Sequence, residues 1–163
     1  MSADGGQVGT ISHDSHSGTV VSDLSNHAII CGFGLPGRAV ARVLESQHID
    51  YCIVELNPAT VDRCARTGVQ IIHGDARDPE TLRRAGVERA QILALAIPND
   101  AVVLDAVKAG RQLNPSVYIV ARLHFTSAGI EAHRRGANET VVAEQVVANE
   151  FSRLIEARRS VSH

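Results

Sequence analysis

Residues 27–41 read HAIICGFGLPGRAVA, an apolar run that leads into a G-x-G-x-x-G motif. In a strand–turn–helix unit of this kind, Gly32 permits the tight turn, Gly34 lets the backbone approach a phosphate, and Gly37 lets the helix pack closely on the strand. A phosphate would face free N–H groups at the helix N-terminus, where the helix dipole favours negative charge. The motif therefore suggests nucleotide binding. The helix is indicated by apolar residues at helical spacing after the glycines: Ala39, Val40, Val43 and Leu44.

A second apolar run, residues 51–54, predicts a strand that ends in Glu55. This acid lies roughly twenty residues after the glycines, where this architecture places a carboxylate on the ribose. A carboxylate there accepts hydrogen bonds from ribose hydroxyls and repels a 2′-phosphate, which favours NAD or an adenosine nucleotide over NADP. In the alternative interpretation, Glu55 is a solvated acid at the end of a strand.

Composition excludes several classes of protein. The 163 residues carry a formal net charge of −2 and 3% aromatic residues, which argues against a nucleic-acid partner. The sequence contains neither an apolar run of the ~20 residues that span a bilayer nor a signal-peptide pattern, so we expect a cytoplasmic protein without direct membrane insertion. The three cysteines lack C-x-x-C spacing and are predicted to be buried thiols, and no histidine pattern indicates a metal.

Strands and helices are predicted to alternate along the chain from about Asn26. Residues 1–25 are rich in Gly, Ser, Asp and Thr and predict a disordered leader or linker, and residues 159–163 a short tail. The alternation predicts an α/β, Rossmann-like, doubly wound parallel sheet of six strands in the order 3-2-1-4-5-6, with ligand at the carboxyl ends of the central strands. After residue 55, strands are predicted at 69–72, 92–97, 117–121 and 140–142, and helices at 58–68, 79–86, 98–113, 126–136 and 144–158.

Several ordered motifs make residues 26–158 resemble one family, the RCK N-terminal domain, also called TrkA-N or KTN. Its Kef-type branch of potassium efflux and cation:proton antiporters is the most similar, on the strength of the Ala-Ile-Pro-Asn segment at 96–99. The motifs are GFGLPG at 32–37, ELNP at 55–58, HGDA at 73–76, AGV at 85–87, AIPN at 96–99, AR at 121–122 and GAN at 136–138.

The resemblance implies a set of binding residues. The glycine turn would contact phosphate, the acid of the second strand would hold the adenosine ribose, the Gly-Asp-Ala segment would border the adenine, and the arginine of the fifth strand would approach the phosphates. The implied residues are Gly32, Phe33, Gly34, Leu35, Pro36, Gly37, Glu55, Leu56, Asp75, Ala76, Ile97, Asn99 and Arg122.

Some of these residues have simpler interpretations. Asp75 could turn the chain after the third strand, Arg122 could be a surface ion-pair partner, and Asn99 could cap the following helix. Many relatives have a basic or polar residue where this chain has Leu35, so a charged phosphate contact would have to come from Arg38 or Arg122. The apolar stripe of the last helix is either core or a dimer surface.

The function that the resemblance implies is regulatory, with no catalytic residue. A nucleotide, either NAD(H) or AMP, ADP or ATP, would bind the crevice and control potassium or other monovalent cation transport through a membrane partner, a potassium channel or a cation:proton antiporter. The domain would act as a homodimer in the cytoplasm or at the inner face of the cell membrane. The alternatives are a small NAD-dependent oxidoreductase and a ligand-free Rossmann scaffold.

Overall fold

In the computed structural model, which describes residues 22–160, strands and helices alternate along the chain. A single 3-10 turn, Val87–Arg89, precedes the fourth strand. The strands are β1 (Ala28–Cys31), β2 (Tyr51–Glu55), β3 (Ile71–His73), β4 (Ile92–Leu95), β5 (Tyr118–Leu123) and β6 (Glu139–Val142). The helices are α1 (Leu35–Ser46), α2 (Pro58–Ala65), α3 (Pro79–Arg84), α4 (Asp100–Leu113), α5 (Thr126–Arg135) and α6 (Ala143–Ser160).

All neighbouring strands pair in parallel, in the order β3-β2-β1-β4-β5-β6. The predicted fold and strand order are therefore confirmed. Strands β1, β2 and β3 follow one another towards one edge of the sheet. The chain then returns to the other side of β1, where β4, β5 and β6 follow one another towards the opposite edge. The loops after β1 and β4 consequently leave the sheet in opposite directions, and a crevice opens between them at the carboxyl ends of the strands.

Side chains cap the helices that follow β2, β3 and β4. Asn57, Asp78 and Asn99 each accept a hydrogen bond from a first-turn N–H group, which satisfies donors that a helix start leaves unpaired. Helix α1 differs because its N-cap residue is Gly34, which has no side chain to accept such a bond. The N-terminus of α1 therefore points unpaired donors towards the crevice.

Helices cover the two faces of the sheet unequally. Helices α3, α4 and α5 pack over one face, where the largest group of buried side chains lies. Helices α1 and α2 cover the opposite face over β1, β2 and β3, and α1 also contacts β4. On that face, Tyr118 of β5 is 44% exposed and Val141 of β6 is 47% exposed. Half of one sheet face is thus left open by the described residues.

The segment before β1 packs against the connection between β3 and β4. Ser22 is buried, its N–H donates to the carbonyl of Arg84 at 2.8 Å, and the Arg89 guanidinium donates to the carbonyls of Ser22 and Leu24. The last residues of the predicted leader therefore belong to the packed domain. The rest of the leader, residues 1–21, and residues 161–163 of the predicted tail lie outside the described residues.

Several predicted boundaries differ from the structure; α6, for example, continues to Ser160, so the first two residues of the predicted tail are helical. Three further differences concern β4, α4 and β3. Strand β4 ends at Leu95 rather than Ile97 because the chain turns away to line the crevice. Helix α4 begins at Asp100 rather than residue 98, since the Asn99 side chain caps it. Strand β3 begins at Ile71 rather than residue 69, although the carbonyl of Gln70 already accepts a bond from β2.

The cysteines are buried free thiols, as predicted: Cys31, Cys52 and Cys64. Burial raises the pKa of Cys52 to about 12 and raises that of Cys31 as well, so neither is a reactive thiolate near neutral pH. Within residues 22–160, no group of three or more His, Cys, Asp or Glu side chains could hold a metal ion. In the same range, no helix has the length and apolar character needed to cross a membrane.

Gly37 provides a test of how tightly α1 is seated on β1. A Cβ built on Gly37 would lie 2.1 Å from the carbonyl oxygen of Gly32, whereas one on Gly34 would meet nothing nearer than 4.0 Å. Because the obstructing atom is backbone, we expect Gly37→Ala to lower the free energy of unfolding by about 3 kcal/mol, a midpoint shift of roughly 10 °C. Thermal and urea unfolding measure this, with Gly34→Ala as the matched control, expected to change stability by less than about 1 kcal/mol. Equal stability of the two variants would contradict the packing described here.

Candidate functional site

A crevice of about 650 Å³ lies at the carboxyl ends of the strands. All of the predicted site residues line it except Gly37, which is buried against β1 instead. Gly37 therefore shapes the turn and does not face the crevice. The lining residues that the sequence predicted are Gly32, Phe33, Gly34, Leu35, Pro36, Glu55, Leu56, Asp75, Ala76, Ile97, Asn99 and Arg122.

The glycine turn forms the floor of the crevice. Gly32 has φ +88°, a left-handed conformation that disfavours side chains, and its N–H donates to the carbonyl of Val54 at 2.9 Å. The next two residues lead into α1, whose first turn has neither a capping side chain nor an acidic residue. Pro36 in that turn lacks an N–H, so the unpaired donors come from its neighbours. The start of α1 therefore has the unpaired backbone donors that suit an anion.

Glu55 holds the glycine turn against the second strand. Its Oε2 accepts a hydrogen bond from the Phe33 N–H at 2.8 Å, and its Oε1 accepts one from the Asn57 N–H at 2.9 Å. The carboxylate thus bridges the loops after β1 and β2. This is not the freely solvated acid of the alternative interpretation. Each oxygen keeps a further lone pair for a donor in the crevice.

Asp75 and Arg77 form a close ion pair at the end of β3. The Arg77 Nε and Nη2 atoms donate to the Asp75 carboxylate at 3.1 and 2.6 Å, and the Arg77 backbone N–H donates to Oδ1 at 2.9 Å. These hydrogen bonds from Arg77 hold the pKa of the Asp75 carboxyl below its usual range. Asp75 therefore turns the chain, as the simpler interpretation held, while also lining the crevice.

The opposite end of the crevice is formed by the loop after β4 and by β5. The Asn99 Oδ1 accepts from the Val102 N–H at 3.1 Å, which confirms Asn99 as a helix cap, although the residue also lines the crevice. Arg122 reaches the carbonyl of Ile97 with Nη1 at 3.5 Å. In the described part of the chain, neither Arg122 nor Arg38 forms an ion pair, so both leave a positive charge facing the crevice.

The histidines nearest the strand ends lie outside the crevice lining. His73 is hydrogen-bonded through Nε2 to the carbonyl of Leu56 at 3.0 Å. His124 approaches Asp100 Oδ1 twice, through its backbone N–H and through Nδ1, each at 2.9 Å. Both rings therefore serve local loop contacts.

Sequence reasoning did not single out Arg63 and Arg77, which both line the crevice. Arg63 lies on α2 and donates to the Thr60 hydroxyl at 3.3 Å. It lies in the last turn of α2, where no sequence motif marks it as a binding residue. Arg77 directly follows the Gly-Asp-Ala segment, and this proximity to predicted site residues could have identified it.

The TrkA-N domain model matches residues 28–143, the range from β1 to the start of α6. The chain belongs to the TrkA-N domain family. The family resemblance drawn from the sequence is therefore confirmed.

Individual relatives of this TrkA-N domain come from transport proteins. YbaL of Escherichia coli strain K12, provisionally named as a cation/proton antiporter, is 31% identical over 134 residues, which cover 82% of this chain and 24% of YbaL. The chain therefore spans about a quarter of that relative's length.

Two solved structures extend the comparison. The TrkA-N domain of the Escherichia coli inner membrane protein ybaL has a TM-score of 0.78 at 31% identity, covering 82% of this chain and 98% of that one. The Shewanella denitrificans Kef CTD in its AMP-bound form has a TM-score of 0.71 at 27% identity, covering 85% and 82%.

Proposed function

We propose that this TrkA-N domain is a regulatory module that binds an adenosine nucleotide in the crevice and thereby controls monovalent cation transport by a membrane protein. The observation that carries the proposal is the uncapped start of α1, which lies in one crevice with Glu55 and three arginines, Arg38, Arg63 and Arg122, that have no carboxylate partner among the described residues. Backbone donors and guanidinium groups suit a phosphate, and a carboxylate suits the hydroxyls of a ribose.

The phosphate would lie on the first turn of α1. Leu35 and Pro36 provide no charge there, and Pro36 provides no N–H, so Arg38 and Arg122 would supply the positive charge. The ribose would lie on Glu55, which lines the crevice and whose two oxygens each accept one hydrogen bond from a backbone N–H. The 2′-phosphate of NADP would be repelled by the same carboxylate, so NADP should bind more weakly than NAD or AMP.

The AMP-bound Kef CTD supports this class of ligand because it is 27% identical to this chain along 85% of its length. AMP is accordingly our first choice among NAD(H), AMP, ADP and ATP. The crevice volume of about 650 Å³ does not by itself separate a mononucleotide from a dinucleotide.

Binding without chemistry is the simplest role for this crevice. Its described lining contains no histidine, cysteine, lysine or tyrosine. The two carboxylates present are engaged, Glu55 with two backbone N–H groups and Asp75 with Arg77. A dehydrogenase usually needs an acid or base beside the nicotinamide, and these residues offer no free candidate.

Regulation would follow from the ligand's differential affinity for two arrangements of the domains. The transport partner would be a potassium channel or a cation:proton antiporter, as the family's relatives suggest, and the domain would work at the inner face of the cell membrane. Among residues 22–160, no helix is long and apolar enough to cross a membrane.

Thermal unfolding in the presence of AMP, ADP, ATP, NAD, NADH and NADP tests the binding proposal. A ligand at about a hundred times its Kd adds about 2.7 kcal/mol, which for a domain of this size raises the midpoint by roughly 5–10 °C. The double variant Arg38→Gln/Arg122→Gln should lose most of the shift given by AMP. Arg42→Gln, exposed one turn further along α1 and outside the crevice lining, should keep it. A chain that has retained no nucleotide from purification and shifts with none of the six would support the scaffold interpretation.

We further propose that two copies associate through α6. Residues 144–159 of this helix are all exposed, and its apolar stripe includes Phe151, 67% exposed, and Ile155, 64% exposed. Beside the start of α6 lies an apolar groove of about 300 Å³ on the open half of the sheet. Each copy therefore offers both an apolar helix face and an apolar groove, which suits a two-fold symmetric pair.

Sedimentation velocity of the full chain tests this association. Phe151→Glu places a charge in the apolar stripe and should convert a dimer to a monomer, because burying an unpaired carboxylate in an apolar interface is costly. Asn149→Glu adds the same charge on the opposite side of α6 and should leave the dimer intact. A wild-type chain that is monomeric at all concentrations, or a dimer insensitive to Phe151→Glu, would refute this interface.

A further inference from the structure

We propose that Arg77 is the base-stacking residue of the crevice and that Asp75 is the residue that positions it. This inference rests on the proposed function and deepens it, since it names how the base of the nucleotide is held. Neither role follows from the glycine turn or from Glu55. The observation that supports this inference is the position of the Arg77 guanidinium. It lines the crevice and is held by two of its nitrogens, Nε and Nη2, on the Asp75 carboxylate.

The strand order places the base on the β3 side. Along the carboxyl edge of the sheet the ends follow in the order β3, β2, β1, β4. With the ribose on Glu55 at the end of β2 and the phosphate on the turn after β1, a nucleotide lying along this edge directs its base towards the end of β3. The lining residues there are Asp75, Ala76 and Arg77.

Asp75 itself has little capacity left for reading a base. Its Oδ1 accepts from the Arg77 N–H and Nε, and its Oδ2 accepts from Nε and Nη2. A carboxylate oxygen has about two lone-pair sites, so a base amino group would have to displace Arg77. The carboxylate is thus committed to orienting the guanidinium.

The hydrogen bonds of Arg77 engage an edge of its guanidinium and neither face. The ion pair uses one edge of the group, through Nε and Nη2, and the side chain is 50% exposed. Bases stack on guanidinium planes as they do on aromatic rings. Phe33 is the one aromatic residue in the described lining of the crevice, and its ring packs against the buried cluster of Ile53, Cys64 and Ile71. Arg77 is the guanidinium on the segment that directly follows β3, whereas Arg63 reaches the lining from α2.

A phosphate-binding role suits Arg77 less well. Its charge is paired with Asp75, whereas Arg38 and Arg122 line the crevice without ion pairs among the described residues. A guanidinium stacked on the face of a purine does not contact the hydrogen-bonding groups at the edge of the base. The chain should therefore bind AMP and IMP, which differ at the 6-position of the purine, with similar affinity.

The test compares AMP, IMP and ribose 5-phosphate on the full chain, by titration calorimetry for the nucleotides and by displacement of AMP for the sugar phosphate. Arg77→Met keeps the length of the side chain and removes the planar cation. It should weaken AMP and IMP alike by roughly tenfold and leave ribose 5-phosphate unchanged. Asp75→Asn should produce a smaller loss with the same pattern. Arg83→Met is the matched control, because Arg83 pairs with Glu80 and Glu88 outside the crevice lining.

Each contrary result has a distinct meaning. If Arg77→Met weakens ribose 5-phosphate as much as AMP, Arg77 contacts phosphate and the stacking role is wrong. If Asp75→Asn weakens AMP but not IMP, Asp75 reads the amino group and the positioning role is wrong. Wild-type binding of ribose 5-phosphate as tight as that of AMP would mean that the base is not held at all. Failure of all three ligands to bind the wild-type chain would instead refute the proposed function.

Discussion

The crevice depends on one carboxylate. Glu55 accepts the N–H of Phe33 with one oxygen and the N–H of Asn57 with the other, and so ties the turn after β1 to the loop after β2. Hydrogen bonds to an ionised acceptor are stronger than neutral ones, and the bond from Phe33 joins residues that lie 22 apart in sequence. The start of α1 and the opening of the crevice are positioned by this contact, together with the close seating of Gly37 on the carbonyl of Gly32.

The same arrangement explains why the site can be ready before a ligand arrives. The carboxylate that would receive a ribose is already held in place, and the donors that would receive a phosphate are left unpaired by a helix with no cap. A preformed site loses less conformational freedom on binding. The unpaired charges lie on Arg38 and Arg122, while the ion pair of Asp75 and Arg77 bounds the opposite end.

The sequence predicted the fold well because its signals were local and repeated. Proline and cap residues such as Asn57 and Asp78 marked helix starts, and short apolar runs marked buried parallel strands. The strand order followed from general rules of right-handed connection. The predicted site residues converged because strand ends meet at one edge of a parallel sheet. What local patterns did not specify were side-chain partners, such as the Arg77 bonds to Asp75, and long side chains like Arg63 that reach the crevice from within a helix.

The most direct test of the account is the amide spectrum of the ¹⁵N-labelled chain with and without AMP. If the crevice holds the nucleotide with its phosphate on the first turn of α1, the largest shift changes fall on the amides of Gly34 and Leu35, with smaller ones at Phe33 and near Glu55. Residues 68–70, in a hollow beyond the amino end of β3, should not move. Unchanged α1 amides at saturating AMP, or changes confined to that hollow, would contradict the account.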